Sequence, residues 1–449
     1  LNITMTAARA LAMRVVRTLR DADHEAYFVG GCVRDELMGL RPKDYDVATS
    51  ARPDEVLALF NKTLEIGVQF GVVAVLDEET PNVQVEVATF RSDGAYVDGR
   101  HPEGVHFSNP REDAARRDFT INGLFHDPFD ESTLDLVGGQ ADIKAGVIRA
   151  IGDPNQRFDE DKLRMLRAVR FACRFNFEIE PVTWGAVCEH AESLSVVSAE
   201  RVQAELNAMF VGPARGRALR LLFESALLDQ CLPEVAATIG VEDDGANVFS
   251  RTLGMLDMLD ADTLTERLAW AVVLHGLAAP RAAPELAASP MENSSRMPQA
   301  GLAFQVESIM KRLRQSNELS RDVADIVASV GAVSLAPEMS PARLKRYLRH
   351  PHIDDLLLVE QLRALSIPHE PGDILHAVRY CREGLEAFRN APAEQGLWPP
   401  IPVDGGDLQE LGLSPGPQFR VLLNDIETEV LEGRVGDRES AIAFVKSRI

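Results

Sequence analysis

Asp44 and Asp46, in the run Lys43-Asp44-Tyr45-Asp46-Val47, form the pattern in this sequence best suited to holding a divalent cation. Two carboxylates one residue apart on a strand point to the same side. Upstream, Ala26-Tyr27-Phe28-Val29 reads as a strand running into the turn Gly30-Gly31, where bare backbone N–H groups can approach phosphate oxygens with no Cβ in the way. Downstream, Val83 to Phe90 reads as a second apolar strand carrying one acid, Glu86. Three carboxylates converging from two strands beside a glycine turn predict two hard, oxygen-ligated cations gripping a triphosphate. A solvated turn would explain Asp-Tyr-Asp alone; it leaves the glycine pair and Glu86 unexplained.

Nucleotidyl transfer needs an attacking hydroxyl, an α-phosphate and a pyrophosphate leaving group in line, with cations on the entering and departing oxygens. Asp44 and Asp46 would bind those cations. Glu86 would ligate one of them, or orient and deprotonate the hydroxyl. Arg34, just past the glycine turn, is placed as a charge-assisted donor to the triphosphate; its plainer role is a surface salt bridge. Arg116-Arg117-Asp118-Phe119-Thr120-Ile121-Asn122 gathers two guanidiniums, a carboxylate and an amide ahead of what reads as an apolar helix. Helix capping by Asp118 would not explain the arginine pair or Asn122, so contacts from Arg117, Asp118 and Asn122 to sugar hydroxyls and phosphates are expected.

Asp161 and Arg164, in Glu160-Asp161-Lys162-Leu163-Arg164, stand three apart and are predicted to share a helix face, an acceptor beside a donor. Cytosine and adenine each present an exocyclic amine next to a ring nitrogen acceptor, whereas uracil and guanine present the reverse polarity. A rigid Asp/Arg pair therefore selects C and A with no nucleic-acid template. The alternative is an ordinary i,i+3 surface ion pair.

The elements that must position these groups lie in the first third of the chain. Residues 1–150 mix short strands, turns and helices; from Phe158 onward apolar residues recur at helical spacing, as in Leu163, Leu166, Val169, Phe171 and then Val202, Leu206, Met209, Phe210. Gly152-Asp153-Pro154 reads as a seam, Ala278 to Gln299 as a loose loop, and Pro392 to Pro402 as the lead into a last helical unit, with a helix expected from Gln418 to Gly433. At 449 residues the chain has room for two to four domains. It has no apolar run of the roughly 18 residues that cross a bilayer and no signal-peptide pattern, so no membrane and a cytoplasmic location are expected. The five cysteines are scattered and read as reduced thiols. A net charge of -22 argues against sequence-blind adhesion to nucleic acid, though not against a local basic strip, for which Arg164, Arg167, Arg170 and Arg174 are the candidates. Arg343, Arg346 and Arg349 read as a solvated helix face.

Gly30-Gly31-Cys32-Val33-Arg34-Asp35, Asp44-Tyr45-Asp46, Arg116 to Asn122, Glu160 to Arg164 and Glu200-Arg201-Val202-Gln203-Ala204-Glu205-Leu206 together resemble the ordered motifs of class II CCA-adding enzymes and bacterial poly(A) polymerases. The resemblance covers about the first 210 residues. It implies an α+β fold: a nucleotidyltransferase head with a small mixed sheet over 1–150, a helical neck that recognises the base over 151–210, a helical body over 211–390 and a tRNA-binding tail over 391–449. It implies Mg2+ at Asp44 and Asp46, triphosphate contact by Gly30, Gly31 and Arg34, sugar and phosphate contact by Arg117, Asp118 and Asn122, base reading by Asp161 and Arg164, and a buttressing helix at Glu200 to Leu206. CTP, ATP and the tRNA 3′ end are the substrates it implies.

Arg91 to Pro102 resembles the flexible loop that CC-only members of the family lack, and Gly405-Gly406-Asp407-Leu408 with Leu411 to Pro417 resembles the tail of CCA-adding enzymes; the Arg-rich tail of enterobacterial poly(A) polymerases has no counterpart. His275-Gly276 falls where many relatives carry a His-Asp phosphohydrolase signature, so this is a degenerate copy in which His275 is expected to be an ordinary packed or surface residue. CCA addition is the leading reading. A poly(A) polymerase or dedicated A-adding enzyme, a noncatalytic RNA-binding factor and a small-molecule nucleotidyltransferase are the alternatives.

Overall fold

The structure, a computed structural model, describes residues 6–67, 70–80, 82–93, 105–279, 300–367 and 372–449. Residues 280–299 of the loose loop from Ala278 to Gln299, and residues 94–102 of the loop from Arg91 to Pro102, lie outside the described residues. Contacts divide the chain into two compact units, Leu1–Leu232 and Pro233–Ile449.

The first unit carries the sheet. Its strands are β1 (Ala26–Val29), β2 (Asp46–Thr49), β3 (Thr63–Gly67), β4 (Val72–Leu76), β5 (Gln84–Thr89), a separate short hairpin of β6 (Arg91–Asp93) and β7 (Val105–Phe107), then β8 (Leu124–His126) and β9 (Thr133–Asp135), and a separate parallel pair of two-residue strands, β10 (Val147–Ile148) and β11 (Glu178–Ile179). Seven of them form one mixed sheet in the order β3-β4-β5-β2-β1-β8-β9. Only β2 and β5 run parallel within it. A parallel pair needs a crossover, here the helix Pro53–Leu59 and the β3–β4 hairpin.

Alternation along the strands divides the sheet into two faces. Val47, Val85 and Val87 turn to one face and join Leu11, Val15, Val16 and Leu19 of helix α1 (Ala7–Asp21) in an apolar core. The opposite face holds Val29, Ala48, Phe90 and Phe125, and on it, by the same alternation, stand Asp46 and Glu86. Helix α2 (Gly31–Leu37) follows directly from β1 through Gly30, whose φ of 74° and ψ of -126° only glycine adopts without strain.

Beyond the sheet come α3 (Pro154–Glu160), capped by Asp153, and α4 (Leu163–Phe175), then α5 (Pro181–His190), α6 (Ala199–Phe210), α7 (Arg215–Glu224) and α8 (Leu227–Cys231). Leu163, Leu166, Val169 and Phe171 of α4 and Val202, Leu206, Met209 and Phe210 of α6 are all buried, as their spacing predicts. Residues on both sides of Gly152-Asp153-Pro154 lie within this unit.

Among the described residues the second unit is helical apart from a hairpin of two-residue strands, Glu242–Asp243 with Ala246–Asn247. Its last part, from Val403 to Val445, has an apolar cluster of its own. Pro417–Leu431 forms the late helix, and Gly405–Glu410 is a short helix capped by Asp404. Arg346 and Arg349 do not form a solvated face: both reach Glu427, at 3.2 and 2.5 Å, and fasten their helix to Pro417–Leu431. His275 is buried and paired through Nδ1 with the Val272 carbonyl at 2.7 Å, and burial pushes it down to about 3. A Cβ on Gly276 would come within 2.6 Å of Val248, so the aspartate of a phosphohydrolase signature does not fit there. All five cysteines are free, and all but Cys188 are buried. Among the described residues no helix is long and apolar enough to cross a membrane.

Candidate active site

Parallel pairing of β2 with β5 sets Asp46 directly opposite Glu86. Asp46 is partly covered and Glu86 is exposed. Burial, then the Glu86 charge, pushes Asp46 up to about 6; Arg117 opposes the rise and Asp44 adds to it. Asp44 differs from the expectation. It lies in a bend ahead of the strand, which begins only at Asp46, so the two aspartates do not share a strand face. Among the described residues no three His, Cys, Asp or Glu side chains gather closely enough to form a metal cage. The acidic site is thus the Asp46–Glu86 pair with Asp44 beside it, acting on Asp46 through its charge.

Around that pair the structure assembles most of the other expected residues. Arg117 lies against the glycine turn, its Nη1 3.3 Å from where a Gly30 Cβ would stand. Arg116 and Arg117 both donate to Asp113, at 2.7 and 2.8 Å. Burial alone would raise Asp113, and the two guanidiniums outweigh it and hold its carboxyl below the ordinary range. Arg34 is buried rather than a surface ion-pair partner: it donates to Asp35 at 2.6 Å and to the Asn122 Oδ1 at 2.5 Å. Asn122 in turn donates to Asp118 at 3.0 Å, and Asp118 accepts both Nε and Nη2 of Arg167 at 2.8 and 2.6 Å. Arg34, Asn122 and Asp118 therefore form one connected chain. The segment that carries them does not open a helix: a 3-10 turn, Thr120–Asn122, leads straight into β8. Burial would raise Asp118, but Arg167, Asn122 and the Phe119 amide together hold it down at about 2.

Asp161 and Arg164 are near in sequence but do not share a helix. Asp161, at φ -148°, closes α3, and Arg164 lies in the first turn of α4. The Arg164 backbone N–H donates to the Asp161 carbonyl at 3.1 Å, but the two side chains bond other partners, so they do not form the i,i+3 ion pair. Asp161 accepts from Arg201 of α6 at 2.7 Å, while Arg164 donates to Glu160 at 2.6 Å and to the Arg116 carbonyl at 3.1 Å. The last bond ties the base-reading candidate to the segment that carries Arg117 and Asp118.

Asp113 escaped the sequence reading, and two further supporting residues take roles other than the sequence suggests: Arg167 reads there as part of a basic strip and Arg201 as part of a buttressing helix. Arg201 sits inside a motif that had been given a packing role, and its spacing from Glu205, one helical turn, marks a shared face. Glu205 on that face accepts from Arg170 at 2.5 Å. The arginines of α4 form no open basic strip. Arg164 is paired with Glu160, Arg167 with Asp118, Arg170 with Glu205, and Arg174 reaches Asp35 at 3.4 Å.

Known proteins resemble this chain in sequence and fold. The Poly A polymerase head domain family matches residues 26–149, and the family described as a probable RNA and SrmB- binding site of polymerase A matches residues 176–239. The CCA-adding enzyme of Levilactobacillus brevis is 32% identical over 96% of both chains, and that of Enterococcus faecalis 31% identical over 97% of this chain and 95% of its own. The chain belongs to the CCA-adding enzyme family. Among solved structures, the CCA-adding enzyme of Bacillus stearothermophilus in complex with CTP is 27% identical, with a TM-score of 0.70 over 99% of this chain and 98% of the other. The Thermotoga maritima CCA-adding enzyme complexed with tRNA shares the fold at a TM-score of 0.66 and 18% identity, over 100% of this chain and 97% of that one. Membership of the CCA-adding enzymes agrees with the α+β fold expected from the motifs, a mixed-sheet head followed by helices.

Proposed function

We infer that this CCA-adding enzyme restores CCA at tRNA 3′ ends from CTP and ATP without a template. The observation that carries the reading is the register pairing of Asp46 with Glu86 beside the Gly30-Gly31 turn, in a chain related along nearly its whole length to CCA-adding enzymes. In the reaction the tRNA 3′ hydroxyl attacks the α-phosphorus, a phosphodiester forms, and the bond to pyrophosphate breaks.

The donor set fits Mg2+. It is all oxygen, and burial followed by the Glu86 charge raises Asp46, an effect that a bound cation would offset. Mg2+ is ordinarily held by one or two carboxylates with substrate phosphates and water completing its shell, which suits a site without a closed cage. Asp44 and Asp46 would hold it, and bound there it would neutralise charge on the entering and leaving oxygens. Glu86 would orient the hydroxyl. Arg34 and Arg117 with the glycine turn would grip the triphosphate, Asp118 and Asn122 the sugar, and Asp161 and Arg164 the base edge. Head, neck, body and tail would occupy 1–150, 151–210, 211–390 and 391–449, with the tail on tRNA and the enzyme acting in the cytoplasm.

One-nucleotide-at-a-time incorporation on tRNAs ending before C74, after C74 and after C75 tests this. CMP, CMP and then AMP are expected in turn. Incorporation of ATP alone, or long adenosine tails on unstructured RNA, would replace CCA addition with one of its relatives. Asp46→Ala is expected to abolish incorporation while tRNA binding survives.

A further inference from the structure

Asp44 lies in an exposed bend, and among the described residues its carboxylate makes no hydrogen bond or ion pair. Something else must fix its position. Its neighbour Tyr45 is only 2% exposed, and its ring meets Phe28 edge-on at 5.3 Å. The Tyr45 hydroxyl donates to Glu36 Oε1 at 2.7 Å, and Arg9 Nε donates to the same oxygen at 3.1 Å. Glu36 comes from α2 and Arg9 from α1, and both are buried. Three polar groups from three elements thus meet in a layer otherwise filled by Phe28, Val33, Val47 and their neighbours.

Such a network is an unlikely route to stability. Taking a carboxylate and a guanidinium out of water costs several kcal/mol per ion, and apolar residues of similar volume in such places often serve as well or better. What the network does supply is a fixed point. Tyr45 is the residue between the two aspartates, so holding its ring and hydroxyl in the core fixes the backbone that carries Asp44 in the bend on one side and Asp46 at the start of β2 on the other.

We propose that Arg9, Glu36 and Tyr45 form a clamp that positions the two aspartates for their cations, with Tyr45 and Glu36 as positioning residues acting through the backbone of residues 43–46. The inference rests on the assignment of Asp44 and Asp46 to metal. Outer-layer partners of metal ligands characteristically govern affinity in this way.

The test uses the full chain. Mn2+ alone is titrated against the protein and free Mn2+ read by electron paramagnetic resonance, alongside CMP addition kinetics and thermal unfolding. Tyr45→Phe keeps the ring and removes the hydroxyl. It is expected to weaken Mn2+ binding about tenfold and to lower kcat by a similar factor, with KM for CTP little changed and Tm no lower than that of the parent. In the parent chain, Glu36→Gln, whose amide oxygen still accepts from the Tyr45 hydroxyl, should keep most of the Mn2+ affinity, whereas Glu36→Ala should lose it as Tyr45→Phe does. Unchanged Mn2+ affinity in Tyr45→Phe, or a Tm that falls in step with activity, would overturn the clamp. A separate control, Asp44→Asn, must lose Mn2+ binding. If it does not while the parent still adds CCA, the metal assignment fails and takes the clamp with it, leaving the function standing.

Discussion

Asp118 joins three pieces of the site, since its carboxylate takes bonds from Asn122, from the Phe119 amide and from Arg167 of α4. Its pKa of about 2 lies below the ordinary 3.8. A depressed carboxylate contributes stability above its unfolded pKa and loses it as pH falls through the folded value. Asp118→Asn is therefore expected to cost about 2 kcal/mol at pH 7. In urea titrations the deficit should stay level from pH 8 to about 5 and shrink only below about pH 4; a deficit that shrinks already between pH 8 and 6 would refute it. Residue identities at this site were readable in the sequence because glycine, aspartate and arginine at these spacings have few other uses. Their partners were not. Arg34 reads in the sequence as a triphosphate donor or a surface salt bridge, and only the fold reveals that it is buried against Asn122 and Asp35.

At the level of elements, α6 is the support of the base-reading group. Arg201 holds Asp161 and Glu205 holds Arg170, one turn apart on a single face. Arg201→Ala would leave the Asp161 carboxylate with only the Leu163 amide, 3.1 Å away, to hold it. Discrimination of CTP and ATP against UTP and GTP should then fall about tenfold, the worth of one charge-assisted hydrogen bond, with tRNA affinity largely kept. Competition assays with paired nucleotides check this, and intact selectivity would mean that α6 only packs. The strands and the long helices were legible from alternation and from three- and four-residue spacing. Two local features were not. No proline or glycine marks the break at Asp161, and Thr120 to Asn122 has the composition of a helix start but makes a 3-10 turn because β8 begins at once.

At the scale of the molecule, the contact boundary after Leu232 encloses the sheet and the helices through α8 with a core of their own. A fragment ending at residue 232 is expected to unfold in one cooperative transition and to bind CTP about as the full chain does, while adding nucleotides to tRNA poorly. Calorimetry and nucleotide titration of that fragment would decide it, and a molten fragment would show that the second unit is needed for folding. The charge balance of -22 bears on the same scale. Because the arginines of α4 already face carboxylates, their loss should be felt in Tm before it is felt in the salt dependence of tRNA binding.

The pairing of β2 with β5 ties catalysis to folding in a way that offers no half-measures. Sliding either strand by one residue would swing Val85 or Val87 beside Asp46 and drive Glu86 into the oily side of the sheet. A misaligned head is therefore a misfolded one, and every correctly folded copy arrives with its acids already abreast. Drift can erode such a centre only by exchanging side chains one at a time.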